Sequence, residues 1–148
     1  MPLMKIGKDY IGIVVATAIL NNKGEILLAK RSRKVKAQKE MWEMPGGALQ
    51  LFETREDGLK REIKEELGVE IKILKELCTI DGILAEEGQH WLGITYISEL
   101  KGRKNPKILE AEKCDAIGWF PILKLPKPLS FITTQSMKVL RKEYKDLI

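Results

Sequence analysis

Apolar and polar positions divide the chain into a short series of elements. Residues 11–20, IGIVVATAIL, are apolar and β-branched, NNKG at 21–24 is strong turn chemistry, and EILLAKR at 25–31 reads as the returning strand, so a hairpin is predicted. RSRKVKAQKE at 31–40 is basic and aperiodic, a loop, and MWEMPGG after it leads through two glycines into a helix over 54–67. Thr54 with Asp57 three positions on makes a capping-box signature, and Gly68 stands where a left-handed C-cap belongs. VEIKILKELCTI at 69–80 and HWLGITYISEL at 90–100 read as strands separated by the acidic turn DGILAEEGQ, and AIGWFPI at 116–122 as a further strand. Met137, Leu140, Tyr144 and Leu147 recur at helical spacing, which predicts an amphipathic helix at the end of the sequence. The class is mixed α/β.

Composition narrows the function classes. A chain of 148 residues is long enough for one real core and short for two, and it shows no repeat or linker, so residues 1–148 are expected to form a single domain. The net charge of +5 favours anionic ligands, but Lys and Arg are scattered among nearly as many carboxylates, so no stable nucleic-acid partner is expected. Cys78 and Cys114 have no metal-like spacing, argue against a disulfide framework and fit a reducing compartment, each reading as a small buried hydrophobe. The apolar run at 10–20 falls short of a membrane span and the N-terminus lacks a signal-peptide layout, so the expected setting is cytoplasmic, without a membrane partner.

The helix over 54–67 obeys capping rules at both ends and breaks the charge rule between them. Glu62, Glu65 and Glu66 fall within about a 100° arc beside the apolar stripe of Leu59, Ile63 and Leu67. Like charges at those spacings, in the last turn, each cost a few tenths of a kcal/mol. Local rules would place Lys there, so a counter-charge is implied: a neighbouring Lys or Arg, or a cation. Carboxylates converging with a backbone carbonyl would suit a hard ion such as Mg²⁺, with Mn²⁺ as the alternative, and an ion so held promotes phosphoanhydride hydrolysis. The plain alternative is a solvated face, since surfaces rich in Glu and Lys are common.

Gly47 to Val69 reads Gly, five residues, Glu53, seven residues, then REIKEELGV, and this resembles the Nudix box of the Nudix hydrolase family at every fixed position. The resemblance implies an α/β/α sandwich around a curved mixed sheet. It implies that Glu62 and Glu66 are metal ligands, that Glu65 is a further ligand or the residue that activates water, and that the carbonyl of Gly46 completes the site. Arg61 would pair with Glu53 and orient the helix that carries the reaction. The activity implied is hydrolysis of a nucleoside diphosphate linked to another group, foremost (d)NTP to (d)NMP and pyrophosphate. ADP-ribose or a related nucleotide sugar is the nearest enzymatic alternative, and a nucleotide- or RNA-sensing module the non-enzymatic one. A homodimer is expected from the family alone. In some members the base lies on a distant loop; Glu86, Glu87, Glu110 and Glu112 are such loop carboxylates, each ordinarily a surface group.

Outside the box the signals thin. Arg31, at the end of the second strand, resembles a residue that reaches substrate phosphates, or is a plain surface arginine. Trp42 reads as packing rather than base stacking, and Trp91 and Trp119 as core. His90 has no preferred reading. The basic loop over 30–39 would cover an anionic substrate, or simply be solvated and mobile.

Overall fold

The computed structural model describes residues 3–143 and 145. The strands are β1 (Gly12–Ile19), β2 (Glu25–Arg31), β3 (Trp42–Glu43), β4 (Gly46–Ala48), β5 (Glu70–Leu84), β6 (Gln89–Lys101) and β7 (Cys114–Pro121); the helices are α1 (Arg55–Leu67) and α2 (Phe131–Glu143). One sheet is mixed, in the order β4-β1-β6-β5 with β1 parallel to β6, and the other is antiparallel, in the order β3-β2-β7.

Period-two alternation in β1 and β2 organises the core. Val15, Ile19 and Leu27 pack with Leu59, Ile63 and Leu67 of α1, whereas Ala16, Ala18, Ile26 and Leu28 pack with Met137 and Leu140 of α2. Strands covered on both faces read as continuous apolar runs, and these two do. The result is the expected sandwich, with sheet between helices. Tyr144 and Leu147, read as belonging to the last helix, lie outside the described residues.

The predicted hairpin is corrected. The turn is present: Asn21 Oδ1 accepts from the amides of Lys23 and Glu25 at 3.0 and 2.9 Å, and Gly24 takes φ +75°. Beyond it, however, the strands meet only at the Leu20–Ile26 bridge, because β1 gives its two edges to β4 and β6 while β2 gives its own to β3 and β7. Two sheets splay from one turn, and the clefts described below are lined from β2, β3 and β4.

The acidic turn is also shorter than its sequence suggested. Asp81 to Leu84 continue β5 opposite Leu92 to Gln89, which leaves a single 3-10 turn at Ala85–Glu87. MWEMPGG, read as a lead-in, holds the short strands β3 and β4, too brief for periodicity to mark.

Helix α1 is bounded as its sequence indicates. The Thr54 hydroxyl accepts from the Asp57 amide at 3.1 Å, and Gly68, at φ +68°, donates its amide to the Lys64 carbonyl. Thr54→Ala is expected to cost about 1 kcal/mol by leaving that amide unpartnered, measured by urea denaturation. No described helix is long and apolar enough to cross a membrane.

Candidate active site

The buried stripe Leu59, Ile63 and Leu67 anchors α1, and the adjacent row Gly58, Glu62 and Glu66 therefore faces the segment from Gly46 to Glu53. Gly58 permits the approach: a Cβ there would meet Leu49 Cδ1 at 2.5 Å and Glu53 Oε1 at 2.8 Å. Gly47 does the same from the facing segment, since a Cβ there would overlap the Glu62 carboxylate. Because the colliding group is the end of a flexible side chain, Gly47→Ala is expected to cost under about 1 kcal/mol of stability. Its displacement of Glu62 should nonetheless lower turnover by about tenfold or more, read by steady-state kinetics beside thermal melting.

Arg61 joins the helix to this segment. Its Nε and Nη2 donate to the two Glu53 oxygens at 2.9 and 2.7 Å, Nη2 also to the Ala48 carbonyl at 3.2 Å, and Nη1 to Glu62 at 3.0 Å and Glu65 at 3.2 Å. Glu53 further accepts from the Gln50 amide at 2.8 Å. The Arg61 fork, seconded by that amide, holds the Glu53 carboxyl down to about 2.

Gly46 is paired through alternation. The bonds Thr17 N–H to the Pro45 carbonyl and Leu49 N–H to the Ile13 carbonyl bracket the Val15–Gly47 pair, so the N–H and C=O of Gly46 both turn away from β1. The N–H is taken up by Glu66, and the carbonyl points to the same side.

That side is a cleft of about 370 Å³ whose wall includes Glu43, Glu62, Glu66 and Glu110 together with Arg31 and Lys113. Glu66 is strongly perturbed there. Burial, then the charges of Glu43, Glu62 and Glu110, push its carboxyl up to about 9, against the single pull of the Gly46 amide. Desolvation raises Glu62 as well, opposed first by Arg61, and raises Glu43, opposed by Arg31. Burial likewise raises the Cys114 thiol in the same wall. Both cysteines are free, and both are half-buried rather than buried as the sequence suggested.

The sequence-derived candidates fall unevenly around this cleft. Glu62, Glu66 and Gly46 line it, as does Arg31, whose Nη1 reaches Glu43 at 3.2 Å and whose Nε donates to the Ala37 carbonyl at 3.0 Å. Glu65 stands on the outer side, half exposed, tied to Arg61. Among the loop carboxylates Glu110 lines the cleft, beside Lys113 at 3.6 Å, while Glu86 and Glu87 sit on the far 3-10 turn. Among the described residues no three acidic, thiol or imidazole groups converge on one point.

A second cleft of about 210 Å³ adjoins the first through Arg31, Glu43, Gly47 and Ala48. Trp91, read as core, lines it, because β6 lies parallel to β1 in a register that sets Trp91 against Gly12 and its indole over Gly7 and Gly12. Trp42 packs edge-on against Phe120, ring centroids 5.0 Å apart, and Trp119 packs on the α1 side of the core, so both are structural. His90 lines neither cleft.

The basic loop is also better anchored than its composition suggested. Ala37 is buried, and the Gln38 side chain accepts from the Phe131 amide at 2.7 Å. The first turn of α2 grips the end of β3 in the same way, with the Met44 amide donating to the Thr133 hydroxyl at 2.9 Å. Glu43 escaped the sequence reading; an acid three residues before Gly46 was its one signal.

Comparison with known proteins identifies the family. The family model for the NUDIX domain matches residues 11–140. The 8-oxo-dGDP phosphatase NUDT18 of Mus musculus is 30% identical over 118 residues, covering 78% of this chain and 34% of that protein. The CTP pyrophosphohydrolase of Escherichia coli K12 is 39% identical over 61 residues, 41% of this chain and 44% of that protein. This chain thus spans about a third of the length of the NUDT18 relative. Among solved structures, the MutT NUDIX hydrolase of Burkholderia pseudomallei superimposes with a TM-score of 0.81 at 32% identity, covering 88% of this chain and 98% of that one. From the box, the sandwich and the family match together, the chain belongs to the Nudix family, its NUDIX domain spanning residues 11–140.

Proposed function

We propose that this chain, acting as one domain, hydrolyses a phosphoanhydride of a nucleoside diphosphate linked to a further group. The specific reaction is conversion of a (d)NTP to (d)NMP and pyrophosphate with Mg²⁺ or Mn²⁺. The observation that carries the reading is the cleft itself, where Glu66, a half-buried carboxyl pushed up to about 9 by desolvation and three neighbouring carboxylates, stands with Glu62 and Gly46 opposite cationic side chains. Relatives whose names specify 8-oxo-dGDP and CTP support a nucleotide as substrate.

The donor set fits a small hard cation. Glu62 and Glu66 offer carboxylate oxygens, Gly46 offers a carbonyl, and no imidazole is among them. Two carboxylates with room left for water and phosphate oxygens is the arrangement Mg²⁺ favours. When bound, the ion neutralises charge on the pyrophosphate and acidifies water. Arg31, Lys30 and Lys113, all in the cleft wall, bind phosphate oxygens. Arg61, through Glu53 and Ala48, fixes α1 against the Gly46 segment, so that Glu62 and Glu66 keep their spacing to the carbonyl. Glu65, held beside Glu62 by the same Arg61 nitrogen, serves as a further ligand or accepts the proton of the attacking water.

The test is incubation with dGTP, dCTP, ADP-ribose and a dinucleoside polyphosphate, with Mg²⁺ or with chelator, followed by product separation. Monophosphate and pyrophosphate appearing only with the cation is the expected result. No turnover of any substrate would favour a nucleotide-binding module instead.

A further inference from the structure

The second cleft carries a polarity that its composition alone does not disclose. Gln38 and Gln89 both line it. The Gln38 amide meets the backbone N–H of Phe131 at 2.7 Å, and the Gln89 amide meets the indole N–H of Trp91 at 2.9 Å. A peptide N–H and an indole N–H are donors only, so in each case the amide atom facing them is the oxygen. Both acceptors are therefore used, and each glutamine keeps an NH₂ group with no protein partner among the described residues. The carboxylate in this lining, Glu43, is bonded to Arg31 at the wall shared with the first cleft. Trp91 and Phe131 supply aromatic surface, and Ile132 lies over Gly82 and Gly93, where a Cβ at Gly93 would meet it at 2.9 Å.

A cleft with Trp91 and Phe131 in its wall, adjoining one lined by Lys30, Arg31 and Lys113, offers aromatic surface on which a nucleobase can stack. Resting on the hydrolase reading above, we propose that Gln38 and Gln89 make this cleft selective for nucleobases bearing a ring carbonyl where adenine and cytosine bear an amino group. Guanine turns O6 and N7, two acceptors, toward such donors, and uracil or thymine turns O4. Adenine keeps N7 but sets its N6 NH₂ against the other donor, and cytosine sets N4 NH₂ against NH₂, so each leaves a donor facing a donor, the kind of mismatch that a polar site rejects strongly.

Direct binding tests this without requiring turnover. GMP, UMP, AMP and CMP are titrated into the full chain by calorimetry, and GMP and UMP are expected to bind about tenfold or more tightly than AMP and CMP. Gln38→Glu and Gln89→Glu each keep the oxygen that Phe131 or Trp91 needs while turning the free NH₂ into an acceptor. The preference should shrink or invert in both, at unchanged melting temperature. Equal affinities, tighter AMP and CMP, or no measurable nucleotide binding in the wild-type chain would overturn the inference. Turnover of the matching triphosphates separates the two claims. Hydrolysis without base preference leaves the hydrolase reading standing and removes this one, whereas base preference in binding without hydrolysis does the reverse.

Discussion

Glu66→Gln is expected to lower turnover by at least about a hundredfold while leaving stability within about 1 kcal/mol of wild type. The two effects separate because Gln matches the shape of Glu66 and still accepts from the Gly46 amide, but carries no charge for a cation. Burial beside Glu43, Glu62 and Glu110 makes the native carboxylate costly to the fold, so its replacement relieves the fold even as it disarms the site. Steady-state kinetics beside urea denaturation gives both numbers. Near wild-type rates would remove Glu66 from the site.

Arg61→Lys has the second largest expected effect, and it falls on both quantities. One guanidinium satisfies Glu53 through two nitrogens, Glu62 and Glu65 through a third, and the Ala48 carbonyl besides. An ammonium is a point charge and cannot reproduce that fork, so the conservative change is expected to lose on the order of 2 kcal/mol of stability. Turnover should fall about tenfold or more, because α1 is no longer held in fixed register with the Gly46 segment. A lysine variant that restores both would reduce Arg61 to a simple counter-charge.

The same pair sets an acid limit. Glu53 is depressed from an ordinary 4.5 to about 2, so the folded state releases a proton that the unfolded chain still holds between those values. Its contribution is complete above about pH 4.5 and disappears as pH falls through about 2. Acid titration of wild type should therefore show a steeper loss of stability in that window than Glu53→Gln.

How much of this was legible beforehand follows from range. Thr54, Gly68 and the Leu59–Ile63–Leu67 stripe act within one helix, so local rules located α1 and its acidic edge. Alternation likewise marked β1 and β2 as strands, but not their partners. Which edge pairs with which is settled by residues such as Leu92 and Phe120, dozens of positions away, and so the hairpin reading failed. Glu43, Gln38 and Trp91 came to line the clefts for the same reason. Each is ordinary in its own stretch and acquires meaning only opposite Arg31, Phe131 or Gly12. The basic loop looked mobile because its anchors, Ala37 and Gln38, are held from β2 and from α2.

The most direct test of the carboxylate site is a Mn²⁺ titration followed by electron paramagnetic resonance, on the wild-type chain and on Glu66→Gln. Saturable binding to wild type, weakened about tenfold or more in the variant, is the result expected if these carboxylates share a cation. Equal affinity in the two proteins, or none in wild type, would contradict it.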